Sequence, residues 1–355
     1  MLAALGRLPF GMLPDAPTPE AVVVERSRDA QHGDFATNVA MRLAKAARRD
    51  PRELAQEIIA ALPANPLIER AEAAGAGFIN FFLARNAYAH ELSAVHELGE
   101  RYGRSNLGRG ERVVVEIVAV NPTSTLHRGR QAAYGVAVAN LLSAIGFEVL
   151  REEYAETDDC LEFHFVQSVN LCRGGERLAA GTREMPSVTL QQVRQEAGDD
   201  VCRFLYLMRG PDQPLDFDLE LAKVRSNDNP AYFTQYAHAR VASVMKELRT
   251  RELRFDCAEG LAHVGLLTSG HERAALSSLA RYPEALELAA TQRAPHALTQ
   301  YLRDLANTLH TYHNAEQFIV SDAKLRNARL ALLLGLQQVL RNGLTLLGVS
   351  APETM

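Results

Sequence analysis

A short basic stretch, residues 127–130 (HRGR), could bind a phosphate group. It lies between an apolar run, VVVEIVA, and a helix-like segment, QAAYGVAVANLLSAIG. In α/β folds the turn from a parallel strand into a helix binds phosphates, because unpaired main-chain N–H groups and the helix dipole point there. The stretch has one glycine, fewer than a dinucleotide loop uses, and lacks the Lys-Ser/Thr of a P-loop. A solvated basic turn that begins a core helix is an equally good interpretation.

A second set of polar residues falls on one side of a helix that is predicted to begin at Tyr301. The polar members are Arg303, Asn307, His310 and Asn314, and the opposite side carries Leu302, Leu305, Leu309 and Tyr312. Such donors can read RNA, particularly beside aromatic rings on which unstacked bases lie. For any single residue, a solvated helix face with satisfied histidines is the better interpretation, whereas the run as a whole favours RNA.

The elements that must position these residues fall into three regions. The first predicts a small α+β module, from a strand AVVVER, two helices within DFATNVAMRLAKAARRD and PRELAQEIIAAL, and a strand GFINFFL. The second predicts two parallel strands, RVVVEIVAV and FEVLREEY, joined by the helix that follows residues 127–130. From Asp199 onward leucines recur at helical spacing, which predicts a helical bundle.

Composition limits the classes of function. The chain has 355 residues, 47% hydrophobic and 23% charged, with a net charge of -5, so any RNA-binding surface must be local. Four cysteines (Cys160, Cys172, Cys202, Cys257) have no zinc-site spacing, and no metal site is expected. No run reaches membrane-spanning length and no cleavable leader is visible, so we expect a cytoplasmic protein without a membrane partner.

Several long blocks resemble, in order, the bacterial type of arginyl-tRNA synthetase, a class I aminoacyl-tRNA synthetase. They are HGDFATNVAMRLAK with GFINFFL, EIVAVNPTSTLH, LDFDLELAKVRSNDNPAYFTQYAHAR, LRDLANTLHTYHNAEQF and LRNARLALLLGLQQVLRNGLTLLGVSAPETM. The resemblance implies an α/β plus all-α architecture. Residues 1–85 would contact the tRNA elbow, residues 86–198 would form a truncated Rossmann-like nucleotide-binding domain, and residues 199–355 would form a DALR-type anticodon-binding domain.

The chain departs from this family in its catalytic signatures. The first signature is two residues short, because it keeps His127 and Gly129 but lacks the second histidine. The second keeps only Thr182 and Arg183, and almost the whole middle of the catalytic domain is absent. Glu116 and Asn121 match positions that contact arginine in the family.

Asn80 resembles a third such contact in the family. Each of the three matches has a structural alternative. Glu116 can be an acid at the end of a strand, Asn121 part of an Asn-Pro turn, and Asn80 a capping amide. The absent middle also removes a strand, so we expect FHFVQSVNL to pair directly, in parallel, with VVVEIVA in a sheet of about three strands.

The resemblance also implies an anticodon pocket in the last region. Its residues would be Tyr236, Arg240, Tyr312, His313, Asn314 and the terminal Met355. His313 departs from the aromatic residue that is usual in the family.

We therefore expect a synthetase-like protein that binds tRNA(Arg) and has lost aminoacylation. No tightly bound cofactor is expected, with ATP and Mg²⁺ as ligands only if catalysis is retained. Two alternatives stay open: an active arginine–tRNA ligase, and a protein-interaction module that partners a full-length synthetase or a tRNA-modifying enzyme. We expect a monomer.

Overall fold

The computed structural model describes residues 1–8, 22–27, 30–84, 86–153, 166–178 and 188–355. These residues divide into two compact units, Met1–His90 and Glu91–Met355. The predicted division of the second unit at residue 198 stays a prediction. None of the helices in the described part of the chain is long and apolar enough to cross a bilayer.

The first unit is a small α+β module, as predicted. An antiparallel sheet in the order β1-β2-β4-β3 packs against two helices. Asp50 begins the second of these helices, because its carboxylate accepts hydrogen bonds from the N–H groups of Arg52 and Glu53. The elements of this unit are α1 (Leu2–Leu5), β1 (Glu25–Arg26), β2 (Phe35–Thr37), α2 (Val39–Ala47), α3 (Pro51–Ala60), β3 (Ile68–Ala74) and β4 (Phe78–Leu83).

One predicted helix of this unit begins later than expected. Phe35–Thr37 is a strand because it pairs with β4 in the sheet, and the helix starts at Val39. Tertiary pairing therefore overrides the local helical pattern at these three residues.

The second unit begins around helix α4 (Ala89–Leu98) and contains the predicted strand-helix-strand motif. Its elements are β5 (Arg112–Ile117), α5 (Leu126–Ala144) and β6 (Glu148–Glu153). The two strands are parallel, with Val113 opposite Val149 and Val114 opposite Leu150. Helix α5 begins at Thr125, whose hydroxyl accepts a hydrogen bond from the N–H of Arg128.

The predicted pairing of FHFVQSVNL with VVVEIVA is wrong within the described residues; residues 163–165 of that segment lie outside them. Strand β7 (Val169–Arg173) pairs instead in parallel with β9 (Leu215–Asp218) and antiparallel with β8 (Glu176–Arg177). Strand β5 pairs with β6 in a separate two-stranded sheet. The strand after the missing middle thus finds its partner later in the chain.

From Asp199 onward the second unit is mainly helical, as predicted, with strand β9 as the exception. Leu302, Leu305, Leu309 and Tyr312 form a buried stripe, and so do Leu332, Leu336, Val339 and Leu340. The helices are α6 (Leu190–Ala197), α7 (Asp199–Tyr206), α8 (Leu219–Lys223), α9 (Pro230–Thr250), α10 (Cys257–Ala262), α11 (Gly270–Ala280), α12 (Tyr282–Thr291), α13 (Pro295–Ala315) and α14 (Ala323–Leu346). Helix α13 packs against α9, α11, α12 and α14.

Candidate functional site

Arg130 does not face a phosphate site. Its side chain is fully buried, and all five of its N–H groups donate to main-chain carbonyl oxygens at 2.8–3.3 Å. The acceptors are the carbonyl oxygens of Gln167, Tyr206, Arg209, Gly210 and Gln213. Burial lowers the pKa of Arg130, while Tyr134 and Asp212 oppose that shift. This arginine therefore holds the chain together, which neither the phosphate-binding nor the solvated-turn interpretation anticipates.

The other residues of the basic stretch have different environments. Arg128 is exposed, and His127 is half-buried with a buried Nδ1 that has no partner among the described residues. Gly129 faces α6, since a Cβ there would lie 2.6 Å from Cδ1 of Leu190. The absence of a side chain at Gly129 thus permits close packing of α5 against α6.

Asn121 closes the loop between β5 and α5. Its Oδ1 accepts hydrogen bonds from the N–H of Thr123 at 3.1 Å, the hydroxyl of Thr123 at 2.9 Å and the hydroxyl of Ser124 at 3.1 Å. The same loop joins α6, because the N–H of Leu190 donates to the carbonyl of Ser124 at 2.9 Å. This geometry matches the predicted Asn-Pro turn, and a contact between Asn121 and arginine stays a prediction.

Two neighbouring cavities lie beside this loop. One, of about 410 Å³, has mostly apolar walls from the ends of β5 and α5 together with Cys202 and Tyr206 of α7. The other, of about 550 Å³, includes Asn121 and the first turn of α6. Neither is lined by Glu116 or His127.

The three arginines of the first cavity already have protein partners. Arg194 pairs with Asp199 at 3.2 Å, Arg203 donates to the carbonyl of Gly348 at 3.3 Å, and Arg151 donates to Asn140 at 2.7 Å. Among the described residues, therefore, no uncommitted basic group converges on this cavity.

The remaining predicted catalytic-domain residues do not complete this site. Asn80 belongs to the first unit, where it is buried and lines a cavity of about 560 Å³ with Arg26, His32 and Arg42. Thr182 and Arg183 lie outside the described residues. A site shared by Asn80, Glu116 and Asn121 stays a prediction.

A different group of predicted residues does come together, between α9 and α13. The ring of Tyr236 stacks on His310, with ring centroids 5.7 Å apart, and on Tyr232, at 5.8 Å. The guanidinium carbon of Arg240 lies 5.9 Å from the centre of the Tyr236 ring, and its Nη2 donates to Oδ1 of Asn314 at 2.9 Å. We call Tyr232, Tyr236, Arg240 and Asn314 the aromatic face. Tyr232, Tyr236 and Arg240 are half-buried, and Asn314 is exposed.

Tyr232 is a member of this face that the sequence interpretation missed. It lies four residues before Tyr236, and side chains at this spacing share one side of a helix. The spacing of the two tyrosines was the signal that could have identified it.

His310 is predicted to contact RNA. In the structure it is buried, and both of its ring nitrogens make hydrogen bonds within the protein. Nε2 lies 3.1 Å from the carbonyl oxygen of Phe233, so it must donate there. Nδ1 then accepts from Nη1 of Arg240 at 3.3 Å. Burial lowers the pKa of His310, Arg240 lowers it further, and the hydrogen bond to Phe233 opposes both.

Tyr312 likewise cannot present its ring to a base in this structure. Its side chain is fully buried and packs edge-on against Phe318, with ring centroids 4.9 Å apart. Burial raises the pKa of Tyr312 well above its usual value. Tyr312 is buried because it belongs to the leucine stripe of α13, although it also belongs to the predicted anticodon pocket.

The other predicted RNA contacts lie around the aromatic face or along α13. His313 is half-buried beside Phe318, and burial lowers its pKa. Asn307 is exposed and Arg303 half-buried. The helical rise places Arg303 roughly 16 Å along the axis from Asn314, beyond the aromatic face.

The C-terminal tail is fixed to α9 before it reaches the exposed Met355. Nδ1 of His238 donates to the carbonyl of Pro352 at 2.8 Å, and Nε2 of Gln235 donates to the carbonyl of Ser350 at 3.0 Å. The tail is thus held at two points on the helix that carries Tyr236.

Comparisons with known proteins agree with this architecture. Residues 3–83 match the arginyl tRNA synthetase N terminal domain, and residues 234–355 match the DALR anticodon binding domain. In fold, the chain is similar to the Thermus thermophilus arginyl-tRNA synthetase, with a TM-score of 0.71, 18% identity, and coverage of 94% of this chain and 96% of that one. A putative arginyl-tRNA synthetase from Campylobacter jejuni has a TM-score of 0.64 and 12% identity, over 77% of this chain and 100% of that one.

Curated relatives extend the similarity along nearly the whole chain. The arginine–tRNA ligase of Thioalkalivibrio sulfidiphilus is 32% identical, over 94% of this chain and 95% of that protein. That of Coxiella burnetii is 31% identical, over 97% and 96%. The first alignment has 557 positions although this chain has 355 residues, so more than a third of its positions fall opposite gaps here. The chain belongs to the arginyl-tRNA synthetase family, as a shortened member with an anticodon-binding domain.

Proposed function

We propose that the protein binds tRNA(Arg) through the aromatic face and the C-terminal tail, and that it no longer aminoacylates this tRNA. The observation that carries the proposal is the stack of Tyr232, Tyr236 and His310 beside the fixed guanidinium of Arg240. Accessible aromatic rings provide surfaces on which unstacked bases lie, and arginine supplies charge and a planar cation. Met355 and His313 would complete the base contacts.

Filter binding with purified tRNA tests the RNA-binding half of the proposal. Replacing Tyr236 with Ala should cost about 1–3 kcal/mol of binding free energy if a base stacks on the ring. The loss should be larger for tRNA(Arg) than for a tRNA with an unrelated anticodon. Circular dichroism must show that the variant is folded. A folded Tyr236→Ala protein that binds tRNA(Arg) as the parent does would refute the pocket.

Arg303 should contribute differently, because we place it against the RNA backbone. Replacing Arg303 with Ala should weaken different tRNAs by a similar factor and reduce the slope of log affinity against log salt by roughly one counterion's share. A loss confined to tRNA(Arg), with the slope unchanged, would contradict a phosphate contact.

The loss of catalysis is supported by the environment of the shortened signature. Adenylate formation needs preorganised donors around the transferring phosphate, and removing a single such donor in other enzymes costs about 2.7–4 kcal/mol. Here Arg130 serves main-chain carbonyls, the second histidine is missing, and the cavity arginines have other partners. The described residues around the shortened signature therefore do not fit a triphosphate.

Arginine-dependent exchange of pyrophosphate into ATP decides between this proposal and an active ligase, the activity in the names of the relatives. We expect no exchange. We also expect ATP to leave the melting temperature unchanged, because only a ligand that binds the folded state raises it. Robust exchange by a preparation free of host synthetase would establish the active ligase instead.

An interaction module is the third candidate, and one observation favours it. Val114 and Leu150 lie opposite each other in the β5–β6 sheet and are 50% and 45% exposed, whereas parallel sheets usually have both faces covered. A synthetase or tRNA-modifying enzyme that co-purifies after RNase treatment, and is lost from Leu150→Lys, would support this candidate. Equal recovery with parent and variant would exclude this face.

A further inference from the structure

His310 links the two helices of the aromatic face through a fixed arrangement of protons. The carbonyl of Phe233 can only accept, so Nε2 of His310 carries the hydrogen, and the lone pair of Nδ1 points at Arg240. The two contacts require the neutral ring. The ring of His310 also packs against Phe233, with centroids 4.6 Å apart, and stacks on Tyr236.

Arg240 depends on α13 for its orientation. Its guanidinium reaches from α9 to two acceptors on α13, Nδ1 of His310 at 3.3 Å and Oδ1 of Asn314 at 2.9 Å. Arginine has a long side chain with many rotamers, so fixing it before RNA arrives reduces the entropy lost on binding. His310 itself is buried and so contributes through Arg240.

Protonation of His310 would reverse the contact with Arg240. Nδ1 would then carry a hydrogen, so two donors and two positive charges would face each other across 3.3 Å. Among the described residues, the titratable or charged groups that face His310 are Arg240 and Tyr236 of α9 and His313 of its own helix. None is a carboxylate that would stabilise the charged ring. The pKa of His310 is already lowered, chiefly by burial.

We propose that His310 is a positioning residue that holds Arg240 on the aromatic face only while its ring is neutral, so that mild acid weakens tRNA binding. This inference rests on the proposed function. The expected loss of affinity in acid is distinctive, because protonating histidines near a polyanion ordinarily strengthens binding through added positive charge. If His310 were needed only for folding, the effect of pH on tRNA binding would not depend on Arg240.

The affinity of the parent for tRNA(Arg), measured at constant salt between pH 7.5 and pH 5.5, tests the proposal. Because the pKa of His310 is lowered from about 6.5, we expect the affinity to fall below that pH, by about tenfold if the Arg240 contact is lost. His310→Leu should bind weakly at both pH values. His310→Asn should recover much of that loss, since its amide oxygen can accept from Arg240, and should not weaken in acid.

His96 provides a matched control, because its Nε2 is bonded to the carbonyl of Ala331 and not to Arg240. His96→Asn should keep the pH profile of the parent. Circular dichroism at pH 5.5 must show that each variant is folded. A parent whose affinity is constant or rises in acid would overturn the proposal.

A double-mutant cycle separates positioning from direct contact. If His310 acts through Arg240, the variant Arg240→Ala and the double variant Arg240→Ala/His310→Leu should bind tRNA(Arg) equally. Losses that add would show that His310 contacts RNA itself and would overturn the inference.

Nuclear magnetic resonance of the free protein distinguishes this inference from the proposed function. Removing the positive charge of Arg240 should raise the pKa of His310, and this measurement needs no RNA. A parent that binds no tRNA at pH 7.5 would overturn the proposed function. An unchanged pKa of His310 in Arg240→Ala would overturn the coupling, whatever the parent binds.

Discussion

Arg130 stabilises its surroundings through main-chain oxygens from three places in the chain. It joins the second turn of α5 to the carbonyl of Gln167, to that of Tyr206 at the end of α7, and to the segment Arg209–Gln213. The planar guanidinium offers five N–H groups in a fixed fork, whereas an ammonium group offers three. The five acceptors therefore require arginine rather than positive charge alone.

Replacing Arg130 with Lys should destabilise the protein, because at least two carbonyl groups would lose their donors while staying buried. Each such group costs about 1–3 kcal/mol, so the free energy of unfolding should fall by about 2–6 kcal/mol. Urea unfolding followed by circular dichroism measures the change. The control is Arg128→Lys at the exposed neighbour, which should stay within about 0.5 kcal/mol of the parent. Equal unfolding midpoints for the two variants would contradict this account of Arg130.

At the scale of elements, an ion-paired cluster joins three helices of the bundle. Arg329 of α14 contacts Glu272 in the first turn of α11 at 2.8 Å and Glu316 at the end of α13 at 2.8 Å. Glu272 is almost completely buried and also accepts from the N–H of Ser269 at 2.8 Å, which closes a capping box. Two helix ends, the start of α11 and the end of α13, thus depend on a single guanidinium of α14.

Replacing Arg329 with Leu should lower the free energy of unfolding by about 3–5 kcal/mol, because it leaves the charge of Glu272 buried without its partner. Arg251→Leu is the matched control, since its pair with Glu247 is exposed and such pairs contribute about 0–1 kcal/mol. The double variant Arg329→Leu/Glu272→Gln should recover part of the loss. Unfolding in urea compares the four proteins, and an Arg329→Leu protein as stable as Arg251→Leu would refute the role of the cluster.

The elements differ in how far the sequence could predict them. Helix α3 follows from local periodicity and its capping residue Asp50, so its position was predicted closely. Helix α13 begins at Pro295, six residues before the predicted start at Tyr301, because no side chain caps its first turn to mark the start. The partner of β7 could not be predicted in this way, because pairing joins segments distant in the chain and depends on which strands remain. The missing middle led to the prediction that this strand pairs directly with β5, but β9 supplies the parallel partner.

At the scale of the whole molecule, resemblance identified the family and the anticodon-binding region, but it could not predict burial. Tyr312 belongs to the predicted anticodon pocket and His310 to the predicted polar side of the helix, and both are nevertheless inside the bundle. Arg130 belongs to a basic run, which predicts an exposed turn, and yet it is completely buried. Whether a polar side chain faces solvent or main-chain carbonyls depends on segments packed against it from elsewhere, and a local pattern contains no such information.

The stability of the whole protein should therefore depend on pH through its buried histidines. His238 is fully buried; its Nδ1 donates to Pro352, and its Nε2 has no partner among the described residues. Burial lowers the pKa of His238, as it does that of His310, so the folded state favours the neutral rings. The unfolded chain takes up protons near pH 6.5. Above that pH the two rings are neutral in both states, and below it they take up protons more readily in the unfolded chain than in the folded one.

We accordingly expect the free energy of unfolding to be constant above about pH 7 and to fall as the pH decreases through 6.5, by up to about 1.4 kcal/mol per pH unit for each of these two histidines. Urea unfolding at intervals between pH 8 and pH 5.5 measures the slope before most carboxylates titrate. His238→Asn keeps a donor for Pro352 and cannot titrate, so its slope should be smaller by one histidine's share. The slope of the double variant His238→Asn/His310→Asn should be smaller still. A parent and His238→Asn with the same slope would mean that His238 accepts its proton in the folded bundle as readily as in the unfolded chain.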